Sequence, residues 1–184
     1  LVIGVITMCT CSRLAVALLL VAVCASQHLS AQTKRVYLAP DDHTDYLWTA
    51  DEAAYRKAFI DTLDYYLALI DSTSSEPSEH QARWNCDGHF WIWEYEKSKS
   101  LTSFQRLMAR VKDGHIGVPL NALAVSLGAA PAEAVIRGMY YPGRLERTYG
   151  VKFPMAYSIE NATMPYGVAS LWAGAGAKYS WNGI

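Results

Sequence analysis

From Lys34 onward, short apolar runs that end in polar clusters alternate with longer segments of helical periodicity. This alternation restricts the fold more than any other feature, because strands separated by helices pair in parallel with the helices packed on the sheet. Arg35–Ala39 reads as a buried strand followed by the cluster Asp41–Asp45. Thr49 and Glu52 have capping-box spacing, and Phe59, Ile60, Leu63, Leu67 and Ile70 then recur at helical spacing. Ser72–Ser78 is a loop, Arg83–Cys86 a second strand, and Asn85–His89 its polar cluster. Phe104, Leu107, Met108 and Val111 share one helix face that ends near Gly114, and His115–Leu120 is a third strand followed by Asn121. Pro131 opens a helix that Pro142 should break or kink and Gly150 should end. Phe153–Ile159 is a fourth strand followed by Glu160 and Asn161. Val168–Ala175 is a further helix, and Lys178–Trp181 starts another strand.

In parallel α/β folds ligands sit at the carboxyl ends of the strands, so four polar clusters should converge on one rim. The expected fold is α/β, a partial (β/α) barrel of parallel strands, read as a fragment of a larger barrel.

Residues 1–31 read as a signal peptide and leader, and 32–184 as the folded part. Arg13 precedes an apolar run from Leu14 to Ala25, with cleavage expected after Ala25 or Ala31. The run is short for a membrane span, and Val23 is a poor neighbour for a lipid anchor on Cys24. Met8 is a better start than Leu1. A secreted or periplasmic location follows from this leader. Cleavage removes Cys9, Cys11 and Cys24, leaving Cys86 with no disulfide partner and no cysteine zinc site. A net charge of −1 offers no electrostatic case for nucleic acid. Six tryptophans and twelve tyrosines beside acids suit either core packing or carbohydrate.

His43-Thr-Asp45 is a candidate metal pair, because residues two apart on an extended segment point the same way. It reads equally as a polar loop in which Asp42 or Asp45 caps the next helix. Glu160 is a third ligand, a nucleophile, or a solvated loop acid. Asp87, His89, Trp91 and Trp93 form either a sugar platform or a packed aromatic group. His115 precedes its strand and belongs to the opposite rim; His28 and His80 lie in leader and loop. The Asn161-Ala-Thr163 sequon matters in a host that glycosylates secreted proteins. The chain lacks Gly-x-Ser-x-Gly, P-loop and Gly-x-Gly-x-x-Gly motifs.

His43-Thr-Asp45-Tyr-Leu-Trp48 resembles the His-x-Asp-x-Gly-Trp segment of glycoside hydrolase family 38 α-mannosidases. Thr163-Met-Pro-Tyr166 resembles the stretch shortly after that family's nucleophile, and the element order from about Val36 onward resembles the first half of its catalytic barrel. The resemblance implies a seven-stranded barrel, of which the remaining half is expected from further chain. It also implies a zinc-dependent retaining hydrolase with Zn2+ on His43, Asp45 and Glu160, Glu160 doubling as nucleophile, and Asp42, Trp48 and Asp87 lining the sugar site. The sequence departs from the family at Leu47, where the family has Gly, and at Ile159-Glu160-Asn161, where it has an Asp nucleophile. The family's general acid and remaining zinc-binding His come from beyond Ile184, so this chain alone is expected to be inactive. Two other readings stand beside it: a secreted carbohydrate-binding protein without catalysis, and a metal-dependent carbohydrate deacetylase.

Overall fold

The computed structural model describes residues 34, 36–123, 127–128, 130–158 and 164–182. The chain divides into two units, 1–38 and 39–184. In the first, Lys34 and residues 36–38 carry no regular secondary structure, and Val36, Tyr37 and Leu38 are exposed. All the elements below lie in the second.

Helix α1 runs Glu52–Ser72, and a 3₁₀ turn follows at Ser78–His80. Strand β1, Trp84–Asn85, leads to α2, His89–Ser98, and α3, Leu101–Lys112. Strand β2, Ile116–Gly117, leads to α4, Ala132–Gly138, and α5, Tyr140–Tyr149. Then come β3, Met155–Ser158, α6, Val168–Gly174, and β4, Tyr179–Asn182.

The strands are short and parallel and form two two-stranded sheets, β1 with β2 and β3 with β4. Asp41 bridges Asn85, Trp84 and Asn85 pair with Ile116 and Gly117, and Met155–Ser158 pair with Tyr179–Asn182. Between the two pairs, Leu120 N–H donates to Met155 O at 2.7 Å. Helices fill each interval, as the alternation predicts.

The core lies where α1, α2 and α3 cover β1 and β2. Phe59, Leu63, Leu67 and Ile70 form the buried stripe of α1, spaced to lie on one face. They meet Ile92 and Tyr95 of α2 and Phe104, Leu107 and Met108 of α3 within one apolar cluster. Trp91 stacks on Phe59 at 4.5 Å and Trp84 on Tyr66 at 4.6 Å, so these tryptophans are structural. Polar ties fix the helices: Asp64 on α1 accepts from Tyr95 at 2.7 Å, and Asp71 accepts from Arg110 at 2.6 Å and from Arg106. Among the described residues no helix is long and apolar enough to cross a membrane.

Several expectations need correction. Residues 36–39 form no strand. Pro40, which has no N–H to give a ladder, contributes its carbonyl to Asn85 N at 2.8 Å, and the pairing begins at Asp41. The cap of α1 is Asp51, whose side chain accepts from Ala54 N at 2.8 Å, rather than Thr49, which contacts the Tyr55 hydroxyl at 2.8 Å. The break expected at Pro142 is present: the helix opened by Pro131 stops at Gly138, four residues before the proline, and α5 starts afresh at Tyr140. Pro142 falls in the first turn of α5, where its missing N–H would have had no helical acceptor. Gly150 ends α5 as expected, in the left-handed conformation (φ 65°) that an L side chain adopts at a cost.

Candidate functional site

One cleft of about 220 Å³ is lined by Ala39 and Asp41, by Asn85, Cys86 and Asp87 at and just after β1, by Met155 and Tyr157 of β3, and by Trp181 of β4. Of the four polar clusters expected to converge, Asp41 and the Asn85–Asp87 group meet at this cleft, while Glu160 and Asn161 lie outside the described residues. Cys86 is free and buried, and burial pushes its thiol well above the usual range, so it is neither a nucleophile nor a ready ligand.

The 41–48 loop borders this region. His43 Nε2 lies 3.1 Å from Asp45 Oδ1, with the two side chains 51% and 49% exposed. The i, i+2 spacing thus brings the two side chains into contact on the same side of the loop. An imidazole nitrogen and a carboxylate oxygen brought together at a half-open surface fit two positions of a zinc coordination sphere. Among the described residues no group of three or more His, Cys, Asp or Glu side chains is arranged to hold a metal ion. Glu160, expected as the third ligand and nucleophile, and the Asn161 sequon lie outside the described residues, as do the signal peptide and leader.

The loop closes with Trp48 N–H donating to Asp45 O at 2.9 Å, while the Tyr55 hydroxyl donates to the same oxygen. This tight return places Leu47 at φ 66°, the one non-glycine residue with positive φ among those described. A Cβ in left-handed geometry costs about 1–2 kcal/mol. Leu47→Gly should therefore raise stability, by about 0.5–1 kcal/mol after the entropy of glycine is offset, because Leu47 is largely exposed and loses little packing. Urea unfolding of the two forms measures the change, and a lowered midpoint would contradict this account.

The predicted sugar-site residues fall in different settings. Trp48 is 84% exposed and available to stack on a ring. Asp42 is half-buried. Burial pushes its carboxyl up, the Trp84 indole pulls it back, and the charges of Asp87 and Asp41 add to the rise. Asp87 lines the cleft at 4% exposure, with Oδ2 accepting from Thr44 N at 2.9 Å and Oδ1 from the Tyr157 hydroxyl. Trp91 is packed in the core, and its Nε1 donates to Thr44 Oγ1 at 3.1 Å. His89 is buried between Tyr141 and Phe153, with Nδ1 2.9 Å from Pro119 O, and burial drives its pKa down to about 3. The second aromatic group is thus mainly packing rather than a sugar platform. His115 bonds to Asp113 and Gln81 at the amino end of β2, on the opposite rim as expected.

Reading by sequence missed Thr44, Tyr157 and the role of Asn121, whose Oδ1 accepts from Tyr157 N at 2.9 Å. Only the polarity of Asn121 after a strand was a visible signal.

No protein-family description matches the chain, and no curated protein does. The fold is nevertheless one found within glycoside hydrolases. It is similar to an α-mannosidase from Enterococcus faecalis V583, with a TM-score of 0.68 and 15% identity over 81% of this chain and 16% of that one. It is also similar to a protein in glycosyl hydrolase family 38 from Enterococcus faecalis, with a TM-score of 0.57 and 15% identity over 80% of this chain and 16% of that one. The chain thus spans about 16% of the length of the solved structures it matches, and at 15% identity the likeness is one of fold.

Proposed function

We propose that this chain is the N-terminal part of the catalytic barrel of a zinc-dependent, retaining glycoside hydrolase acting on α-mannosides or related glycans. The observation that carries the reading is the meeting of His43 and Asp45 at 3.1 Å beside the carboxyl ends of parallel strands, in a fold similar to that of an α-mannosidase. His43 and Asp45 hold the ion, and Glu160 is its third protein ligand. When bound, zinc supplies positive charge that grips sugar hydroxyls.

The remaining chemistry belongs to side chains. Trp48 stacks on a sugar face and Asp42 accepts from a hydroxyl. The Glu160 carboxylate forms a bond to the anomeric carbon as the bond to the leaving oxygen breaks. An acid from outside this chain gives that oxygen its proton, and water then releases the sugar with retained configuration. The apolar run from Leu14 to Ala25 supports a secreted or periplasmic location for the reaction.

The test is hydrolysis of an aryl α-mannoside by the full-length protein. Activity should vanish with a chelator, return with added zinc, and fall at least 100-fold on Asp45→Ala, as loss of a metal ligand requires. Chelator-resistant cleavage would overturn the zinc reading. Binding of mannosides without cleavage would favour a lectin-like protein, for which exposed Trp48 suffices, and acetate release would favour a deacetylase.

A further inference from the structure

Thr44 stands between His43 and Asp45, and along an extended segment it faces the other way. The protein holds it there at two points. Its N–H donates to Asp87 Oδ2 at 2.9 Å, and its hydroxyl accepts from Trp91 Nε1 at 3.1 Å. The other Asp87 oxygen accepts from the Tyr157 hydroxyl, and Tyr157 N–H is fixed in turn by Asn121 Oδ1 at 2.9 Å. Asp87, Trp91 and Tyr157 are 4%, 5% and 6% exposed. A carboxylate this buried is costly unless donors hold it, and here each oxygen has one. Segments following β1 and β2 and a residue of β3 thus converge on a single peptide.

We infer that Asp87 is a positioning residue: with Tyr157 it locks the Thr44 backbone and so keeps the His43 and Asp45 side chains together on the open side of the loop. Asp87 then serves the pair rather than the sugar. Its consequence for zinc rests on the function proposed above, whereas the lock itself does not.

Tyr157→Phe tests the lock by removing one hydroxyl and keeping the ring. In the isotopically labelled chain, the Thr44 amide should exchange with solvent about 10-fold faster, and the His43–Asp45 contact seen by NMR should weaken. Calorimetric titration of the full-length protein with zinc should show affinity reduced by about 10-fold, the effect expected when a group supporting a ligand is lost. Asp87→Ala should do more. Tyr95→Phe, which deletes the bond to Asp64 in the same core, should change stability while leaving Thr44 exchange and zinc affinity unaltered. If Tyr157→Phe lowers stability but leaves Thr44 exchange as in wild type, the residue is merely structural and the inference fails. If the full-length wild-type protein, which carries every proposed zinc ligand, binds no zinc, the metal reading fails by itself, and Thr44 exchange still decides the lock.

Discussion

Gly88→Ala should destabilise the chain by about 3 kcal/mol, the upper end of the range for overpacking. A Cβ at Gly88 would sit 2.1 Å from Ala122 O, 2.7 Å from Ala122 C and 3.0 Å from Leu123 Cα. All three are backbone atoms, so no side chain can swing aside. The 121–122 peptides cannot retreat cheaply either. Asn121 O accepts from His89 N at 3.0 Å and Ala122 O from Phe90 N at 2.9 Å, supplying partners that the first amides of α2 lack within their own helix. The substitution must break those bonds or push Asp87 away from Thr44. Gly138→Ala is the control: nothing lies within 4 Å of a Cβ there, and its unfolding midpoint should stay within about 0.5 kcal/mol of wild type or rise. A Gly88→Ala loss below about 1 kcal/mol in urea unfolding would show that the close approach is not rigid.

Arg56→Ala should cost a comparable amount, about 3 kcal/mol, the low end of the range for breaking a buried pair because the arginine is partly solvated. Arg56 reaches from α1 to Glu94 on α2, a carboxylate 5% exposed, and also bonds Glu52 through Nε at 2.9 Å. Its guanidinium lies 5.2 Å from the centre of the Phe90 ring and 5.6 Å from that of Trp93. Removing it strands a buried charge, which costs more than the pair ever contributed. Arg56→Met combined with Glu94→Leu should recover most of the loss, since an apolar pair carries no charge to desolvate. Chemical denaturation of the two single mutants and the double mutant closes the cycle. Equal losses in Arg56→Ala and the double mutant would mean that the arginine acts by packing alone.

Much of this architecture was legible because the elements carry their own periodicity. Phe59, Leu63, Leu67 and Ile70 announce α1, Pro131 announces the start of α4, and Gly150 the end of α5. Helix α2 was not legible as a helix. Phe90, Trp91, Ile92, Trp93 and Tyr95 surround it with apolar groups, so it shows no clean polar face, and Glu94 is buried by a partner on another helix. The site divides in the same way. His43 and Asp45 could be paired from their spacing alone. Asp87 and Tyr157 meet across a sequence separation of 70, and no local pattern encodes such a contact.

The succession of strands has a consequence for synthesis. Asp41 finds its partner at Asn85, Trp84 at Ile116, Leu120 at Met155 and Met155 at Tyr179, so among the described residues every strand pairing joins units that follow one another in sequence. Each pairing closes a short loop, and the chain can build its sheet one unit at a time in the order in which residues leave the ribosome. An apolar strand face is then covered soon after it emerges, which shortens the interval in which the nascent polypeptide is exposed to wrong partners.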